Sequence, residues 1–449
     1  MSPESLAHEL PIVRSDRAET VADDARAGTR CAVPIRCTTD ARLALLLLFA
    51  LLASAVARAQ APPPTAVPPP DLAFIDTGIE NASPLWYERG DDGAYRVHLL
   101  YDHERDSPNR AAGHIHFRMV GRPGAPITLE FVNLDNVWNG QPGSVAGELK
   151  TVALSADGTT WTTVPTDTLP GNRIRVTVTM PAGGVLHLAR MQPYRLSDLD
   201  RLVAKARASA HAEVTTIGAT VQGRPLEIIR IGRGDEPRRV FLRARAHPWE
   251  SGSSWVMQGL VERLLGDDAE AARWRGQFTV YVLPMANKDG VARGGTRFNV
   301  NGKDLNRNWD RPVDQALVPE NAALERWLEG MIAGGRKPDL AIELHNDGRG
   351  LLHLSRPPVP GLDEHLARMA RLEAILRERT WFTEGHTEGA FRNSGTLGDG
   401  WLERYGIDAL VHELNANRVE GRKAFTSAAL WQEYGAALPA VFEVYFRDR

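Results

Sequence analysis

The segment Asp304–Trp309 places an amide beside a guanidinium, in Asn306 and Arg307, within a stretch rich in Gly and Asn. A guanidinium offers two parallel N–H donors to a carboxylate, and a neighbouring amide can add a third donor from the side. Asn and Arg are also common on protein surfaces, so the pair alone would predict little. Beside a metal site, however, a carboxylate grip of this kind would suit an enzyme that recognises a chain end.

Three residues elsewhere in the chain could form that metal site. His247 and Glu250 are three residues apart, and His345 follows much later. A catalytic zinc usually takes three protein ligands and leaves a fourth position for water. His-x-x-Glu alone is weak evidence, since about one such pair is expected by chance, and a loop histidine bonded to a backbone carbonyl is the alternative. With the other candidate residues present, we predict one Zn²⁺ per chain on these three ligands.

Two further charged residues could act on a substrate next to that metal. Glu413 lies in an alternating apolar segment, where an unpaired carboxylate is costly to bury. It either pairs with a core arginine or serves as a general base. Arg297 is either a solvated arginine or a cation that stabilises a developing oxyanion at the scissile carbonyl. We predict the catalytic role for both.

The order of the predicted elements explains how these residues could meet. From Tyr194 onward strands alternate with helices, which predicts an α/β domain with a mostly parallel sheet. His247 and His345 each directly follow a predicted strand, and Glu413 lies near the end of a third. These strands are predicted at 240–246, 340–344 and 408–414. Because ligands bind at the carboxyl ends of strands in open α/β sheets, the three residues should share one edge.

The preceding region, residues 71–193, has short strands broken by turns and no comparable helical pattern. Asp157-Gly158 is a hairpin turn signal between two of those strands. This spacing predicts an antiparallel β-sandwich as an N-terminal domain. Residues 194–449 would then form the α/β domain, whose first helix is predicted to open at a capping box over Ser197–Asp200 and to run to about Ala210.

The composition is that of an ordinary globular protein. The chain has 449 residues, 43% hydrophobic and 24% charged, with a formal net charge of −3. Without a basic excess, neither nucleic acid nor acidic lipid is an expected partner. We expect a peptide or protein C-terminus as the substrate, and the sequence gives no oligomeric state.

The first 59 residues resemble a secretory signal peptide with a long n-region. Arg42 precedes the apolar run Leu43–Val56, and Ala57-Arg58-Ala59 fits a small-x-small cleavage pattern. The run is short for a membrane span, which needs about 20 residues, so an uncleaved anchor is the alternative. Residues 60–70 are a proline-rich linker. We therefore predict an exported protein, periplasmic or secreted, without a stable membrane anchor.

The two cysteines, Cys31 and Cys37, precede that cleavage site. The mature protein would therefore have neither disulfides nor thiolate metal ligands.

Together these motifs resemble the M14 zinc carboxypeptidases, also called funnelins. Their signature is His-x-x-Glu, an Asn-Arg pair, a distant His and a late Glu, and all four occur here in order. The closer similarity is to the cytosolic-carboxypeptidase branch, which carries a β-sandwich ahead of its catalytic domain. Segments that resemble this branch are His247–Ser251, Pro284–Gly290 and Gly302–Asn308, and the domain junction at Pro193–Leu199.

The resemblance implies hydrolysis of C-terminal residues from peptides by metal-activated water. It also implies the roles already derived from the residues. These are zinc on His247, Glu250 and His345, the terminal carboxylate on Asn306 and Arg307, the scissile carbonyl on Arg297, and general-base catalysis by Glu413.

The chain departs from the family pattern at three positions. Trp249 stands where the cytosolic branch typically has glycine. Phe391 stands three residues before Ser394-Gly395, where the digestive members have tyrosine, so a hydroxyl is absent. In the same register Gly398 takes the position that shapes the specificity pocket. Phe391 and Gly398 are therefore predicted to contact substrate, but neither indicates a preferred side chain.

Other functions remain open from the sequence. The same fold could cut an amide near a free carboxylate, as an amidase of cell-wall peptides or a deacylase would. A non-catalytic module could bind peptides in the same pocket. The sandwich could also dock the protein to a partner.

Overall fold

The computed structural model describes residues 70–389 and 395–447. The predicted signal peptide, nearly all of the predicted linker and Phe391 lie outside these ranges. The predicted division at residues 193 and 194 stays a prediction, since residues 69–449 form one compact unit.

Strands fill the N-terminal part of this unit, where β-branched and aromatic runs are separated by Gly, Asn and Asp. One short 3₁₀ helix occurs at Ala146–Glu148. The strands are β1 (Leu72–Asp76), β2 (Leu85–Arg89), β3 (Tyr95–Leu99), β4 (Asp102–His103), β5 (Arg110–Ala111), β6 (His116–Gly121), β7 (Pro126–Phe131), β8 (Asp135–Trp138), β9 (Gln141–Ser144), β10 (Thr151–Ser155), β11 (Thr162–Pro165), β12 (Asp167–Leu169), β13 (Arg173–Thr179) and β14 (Val185–Ala189).

Two five-stranded sheets make up most of this β-rich region. One has the order β1-β6-β14-β10-β11, and the other has the order β12-β13-β7-β3-β2. Their inward side chains, among them Phe117, Leu129 and Leu188, share one apolar core. A smaller sheet has the order β4-β5-β8-β9. The predicted β-rich region is therefore present, but it is not purely antiparallel, because β3 and β7 pair in parallel.

Helices and strands alternate in the rest of the unit. The helices are α1 (Leu196–Ala208), α2 (Ser251–Leu264), α3 (Ala269–Arg275), α4 (Lys288–Ala292), α5 (Pro319–Ala333), α6 (Leu362–Arg379), α7 (Leu397–Tyr405) and α8 (Ala428–Phe446), with a 3₁₀ turn at Glu420–Arg422. The strands are β15 (Ala212–Ala219), β16 (Pro225–Ile231), β17 (Arg238–Ala244), β18 (Phe278–Leu283), β19 (Leu340–Asp347), β20 (Leu352–Leu354), β21 (Asp408–Asn415), β22 (Arg418–Val419) and β23 (Ala424–Phe425).

The main sheet of this region is mixed, with the order β15-β16-β18-β17-β19-β21-β20. The four strands β18, β17, β19 and β21 are parallel to one another, as the alternation of strands and helices predicts. The outer strands β15, β16 and β20 are antiparallel to their neighbours. β15 is not predicted from the sequence, because none of its residues is buried and it carries no clear apolar face.

Two local predictions need correction. His345 lies inside β19 and does not follow it, because β19 continues in parallel pairing with β21 as far as Asp347. The first helix, α1, is capped two residues earlier than predicted. Its N-cap is Arg195, whose backbone N–H donates to the Asp198 carboxylate at 2.8 Å, and the helix ends at Ala208.

Helices α2 and α8 approach each other closely at glycines. A Cβ added at Gly259 would overlap the backbone oxygen of Gln432, and one added at Gly435 would overlap that of Val256. Backbone atoms cannot rotate aside as a flexible side chain can. Both positions therefore need glycine, although glycine is a poor helix former.

We predict that Gly259→Ala destabilises the fold by about 1–3 kcal/mol, because overpacking forces the two helices apart. Gly330→Ala is the matched control, since Gly330 also lies in a helix but has no atom within 4 Å of an added Cβ. That change should be neutral or stabilise by up to about 1 kcal/mol. Urea unfolding of both variants measures the difference, and equal midpoints would contradict the close contact.

Candidate active site

His247, Glu250 and His345 come together at the carboxyl edge of the main sheet. His247 Nδ1 lies 2.8 Å from Glu250 Oε1, and His345 Nδ1 lies 2.7 Å from Glu250 Oε2. The two histidine Nδ1 atoms are 3.1 Å apart. One possible ligand atom from each of the three residues can be chosen so that all lie within 4.8 Å of one another, and all three residues are buried.

Local backbone structure places the first two of these residues. After β17 ends, Arg245 turns the chain with a positive φ of 58°, and its carbonyl accepts from Asn287 N–H at 2.9 Å. Glu250 is then the N-cap residue of α2. The His-x-x-Glu spacing therefore spans a tight connection between a strand and a helix, so both side chains face the same point.

The electrostatics of the cluster suit a divalent cation. Burial opposes ionisation of Glu250, but His247 and His345 lower its pKa well below the usual value. Burial likewise opposes charge on His345, while Glu250 and Glu343 raise its pKa well above the usual value. Two imidazole nitrogens and a carboxylate that converge on one point are the donor set of catalytic zinc. The residues present therefore fit this ion.

Asp304 extends the cluster and was missed in the sequence analysis. Its Oδ1 lies 3.1 Å from His247 Nε2, and its Oδ2 accepts from Arg297 Nε at 2.7 Å. Burial opposes its charge, but Arg297 and His247 lower its pKa well below the ordinary value. Metal-binding histidines usually donate their other ring N–H to such a carboxylate. The sequence signal that could have indicated this role is an acidic residue two positions before the Asn-Arg pair.

The β-rich region also contributes to this site. Asp102 Oδ2 accepts from the backbone N–H groups of Thr296, Arg297 and Phe298 at 3.2, 2.7 and 3.0 Å. The Arg297 guanidinium lies 4.6 Å from the centre of the Trp138 ring. Residues from the N-terminal strands therefore hold the loop that carries Arg297.

Arg307 is among the residues that line the cleft. Its Nη1 donates to the Asn306 carbonyl at 2.8 Å, and burial lowers its pKa. Among residues 70–389 and 395–447, no carboxylate oxygen forms an ion pair with it. A half-buried cation without an anion is costly, so this group favours an anionic ligand.

Asn306 has a different environment from the one predicted. Its Oδ1 accepts from the Leu397 N–H at 2.9 Å, and its Nδ2 lies 3.1 Å from His345 Nε2. Both ends of the amide therefore have protein partners. In this arrangement Asn306 is hydrogen-bonded to His345 and to the start of α7. The Arg307 guanidinium, in contrast, has no charged partner among the described residues.

Buried interactions fix the segment that carries Asn306 and Arg307. The Leu305 carbonyl accepts from Arg243 Nη2 at 3.1 Å, Asn321 Nδ2 at 2.9 Å and Trp309 Nε1 at 2.9 Å. Arg243 also pairs with Glu343 at 3.1 Å, across the parallel strands β17 and β19. The segment is thereby attached to the centre of the sheet.

Glu413 stands directly opposite His345 in the parallel register of β19 and β21. Its Oε2 is buried, and within the part of the chain that is described it has neither a hydrogen bond nor an ion pair. Burial and the nearby Asp347 carboxylate raise its pKa well above the usual value. The alternative of a salt bridge to a core arginine is therefore not what the structure has.

These groups line one cleft of about 550 Å³, a volume typical of small-molecule sites. His247, Glu250, Arg297, Asn306, Arg307 and Glu413 all contact it. The β-rich region supplies much of the opposite wall through Glu104, Asn109, Trp138, Asn139 and Glu148.

Two residues, Phe391 and Gly398, were predicted to contact the substrate, and Gly398 is not among the residues that line the cleft. Phe391 lies outside the described residues. Gly398 is buried in the first turn of α7, where an added Cβ would overlap Ser355 Oγ. Its contact with substrate remains a prediction without support from this placement.

A zinc carboxypeptidase family model, Peptidase_M14, matches residues 200–327. That stretch contains His247, Glu250, Arg297, Asn306 and Arg307. The matched segment is therefore a domain of the M14 zinc carboxypeptidase family. His345 and Glu413 lie beyond the match, and the sheet brings them to the other residues of the M14 signature.

Relatives support the same family. Cytosolic carboxypeptidase 1 of Danio rerio is 37% identical over 110 residues, which are 24% of this chain and 10% of that protein. The uncharacterized protein ZMO1242 of Zymomonas mobilis is 30% identical over 162 residues, which are 36% of this chain and 41% of that protein. The chain therefore matches less than half the length of these curated relatives.

Solved structures share the M14 fold along most of the chain. A metallo-carboxypeptidase from Burkholderia cenocepacia has a TM-score of 0.73 at 21% identity, covering 84% of this chain and 99% of that one. A metallo-carboxypeptidase from Pseudomonas aeruginosa, in complex with (2-guanidinoethylmercapto)succinic acid, has a TM-score of 0.70 at 23% identity with the same coverage.

We predict that Asp304→Asn weakens zinc affinity about 10- to 100-fold, because the amide is a poorer acceptor for the His247 N–H. Competition with a chelator of known affinity measures the change. Asp310→Asn is the control, since Asp310 lines the cleft but pairs with Arg311 and contacts no candidate ligand. Equal zinc affinity of both variants would contradict the supporting role of Asp304.

Proposed function

We propose that this M14 protein is a zinc-dependent metallocarboxypeptidase that removes residues from the C-terminus of peptides. One observation carries the proposal above the others. The Arg307 guanidinium, without an anionic partner among the described residues, shares a cleft with His247 and Glu250, which cluster with His345. A peptide whose terminal carboxylate binds Arg307 would extend its last peptide bond toward that cluster.

The metal ligands in this proposal are His247 and His345 through Nδ1 and Glu250 through its carboxylate. A zinc ion held there supplies Lewis acidity, which polarises a carbonyl group and lowers the pKa of water. The nearby Asp304 keeps the His247 ring oriented through its second nitrogen.

Glu413 is the proposed general base. It lies opposite His345, and its buried Oε2 has no protein partner in the described part of the chain. Its raised pKa matches a group that must accept a proton from the attacking water and then pass it to the leaving amine. No covalent intermediate with the protein is needed.

Arg297 is the proposed donor to the scissile carbonyl. Its Nε and Nη2 both hold Asp304 Oδ2 at 2.7 Å, which leaves Nη1 for a substrate oxygen. A fixed guanidinium stabilises an oxyanion without reorganising during the reaction. Asn306 supports the same chemistry by holding His345, whether or not it also contacts substrate.

The same residues also help to distinguish the alternative functions, a binding module and an amidase or deacylase. A binding module would need Arg307 but would have no use for a buried, unpaired Glu413. An amidase or deacylase for carboxylate-bearing amides would use every group named so far. The released amine distinguishes the two activities. A carboxypeptidase releases a single C-terminal amino acid, whereas an amidase of this kind could also release a larger peptide.

Domain layout and localisation also remain proposals. We propose that residues 71–193 form a β-sandwich domain and that residues 194–449 form the catalytic domain. Export, to the periplasm or outside the cell, rests on the sequence of residues 1–59. In the described portion, no helix combines the length and apolar character that a membrane span needs.

We predict that Glu413→Gln keeps zinc but lowers kcat about 10²- to 10⁴-fold, because the proton acceptor is lost. Zinc content by atomic absorption and hydrolysis of a free peptide measure the two effects. Glu433→Gln, on the exposed part of α8, is the control. Substantial turnover by the Glu413 variant would remove the general-base role.

We predict that Arg307→Ala raises KM roughly 10- to 100-fold for peptides with a free C-terminal carboxylate, because a charge-assisted contact of about 1.5–3 kcal/mol is lost. C-terminally amidated peptides should change much less. Arg311→Ala, at an exposed arginine paired with Asp310, is the control. An equal effect on both peptide classes would contradict the binding of the terminal carboxylate by Arg307.

A further inference from the structure

Trp249 lies between the candidate ligands His247 and Glu250, yet its ring belongs to the core of the β-rich region. The side chain is only 5% exposed and packs with the apolar residues of the N-terminal sheets. The catalytic region therefore inserts one aromatic ring, taken from its metal-binding loop, into the neighbouring core.

The β-rich region is shaped to receive this ring. A Cβ added at Gly113 would lie 2.5 Å from Trp249 Cζ3, so this glycine leaves the space that the indole fills. Arg190, which directly follows β14, places its guanidinium carbon 3.5 Å from the ring centre. Arg190 is itself buried, and its nearest carboxylate oxygen is Glu148 Oε2 at 3.9 Å. A desolvated guanidinium over the face of tryptophan is strongly attracted to it.

The polar edge of the same ring faces the metal site. Trp249 Nε1 donates to Glu250 Oε1 at 3.2 Å, the oxygen that also lies 2.8 Å from His247 Nδ1. An indole N–H is only a donor, so it can hold a carboxylate but cannot compete for a metal. Because the indole is only 5% exposed and lies against Arg190 and Gly113, it has little room to move away from Glu250. The contact therefore fixes the position of the carboxylate.

We propose that Trp249 is a positioning residue that transmits the order of the β-rich core to the zinc ligand Glu250. The inference rests on the proposed zinc site and extends it. It gives the N-terminal strands a part in metal affinity, beyond lining the cleft. It also gives a physical reason for a bulky aromatic residue at this position, where a glycine could not bridge the two regions.

The test compares two tryptophan-to-phenylalanine variants of the full chain. Trp249→Phe keeps an aromatic ring in the core but removes the N–H that holds Glu250. Trp255→Phe is the matched control, since Trp255 Nε1 donates over the same 3.2 Å distance to the Gln192 carbonyl, away from the metal site. Zinc affinity is measured by chelator competition, and urea unfolding without zinc shows that each variant is folded.

We expect Trp249→Phe to bind zinc about 10- to 100-fold more weakly than the unchanged chain, in line with other partners of metal ligands. Trp255→Phe should bind zinc normally, even if it is less stable. A folded Trp249→Phe chain with unchanged zinc affinity would overturn the proposal. Failure of the unchanged chain to bind zinc would instead overturn the proposed function.

A second pair of variants tests the mechanical link without altering Trp249 or any ligand. Gly113→Ala should push the indole outward and weaken zinc binding, although Gly113 lies in the β-rich region. Gly183→Ala is the control, because no atom lies within 4 Å of a Cβ added there. Equal zinc affinity of these two variants would show that the packing of Trp249 does not reach Glu250. This pair also decides the question if Trp249→Phe does not fold.

Discussion

The parallel pairing of β17, β19 and β21 is the constraint on which the site depends. Parallel strands keep their carboxyl ends at one edge, and the register sets which side chains stand together. His345 faces Glu413 across one strand pair, and Arg243 faces Glu343 across the other. A shift of one residue would turn one member of each pair to the opposite face of the sheet.

Burying so many charges at one edge would destabilise the fold unless they were paired. Most of them are, since Asp304 lies against His247 and Arg297, and Arg243 pairs with Glu343. Glu413 and Arg307 are among the exceptions in the described part of the chain. Buried charges without a partner are expected where a protein binds a ligand. Glu413 and Arg307 both line the cleft.

The β-rich region helps to build the cleft. The sequence alone had suggested at most that this region docks the protein to a partner. Asp102 accepts three backbone N–H groups of the Arg297 loop, and Trp138 lies under the Arg297 guanidinium. The core of the region also encloses Trp249. Because these contacts join the two regions around the cleft, removing the N-terminal strands would expose the loop that carries His247 and Glu250.

The sequence by itself determined the types and order of the reactive residues, since the M14 signature and the alternation of strands and helices depend on local patterns. His247, Glu250, His345 and Glu413 could therefore be expected at one sheet edge. Only the tertiary structure decided that Asp304 supports His247, that both ends of the Asn306 amide have protein partners, and that Trp249 enters a distant core. Those contacts join residues far apart in the chain, and register and packing, which no local pattern encodes, bring them within bonding distance.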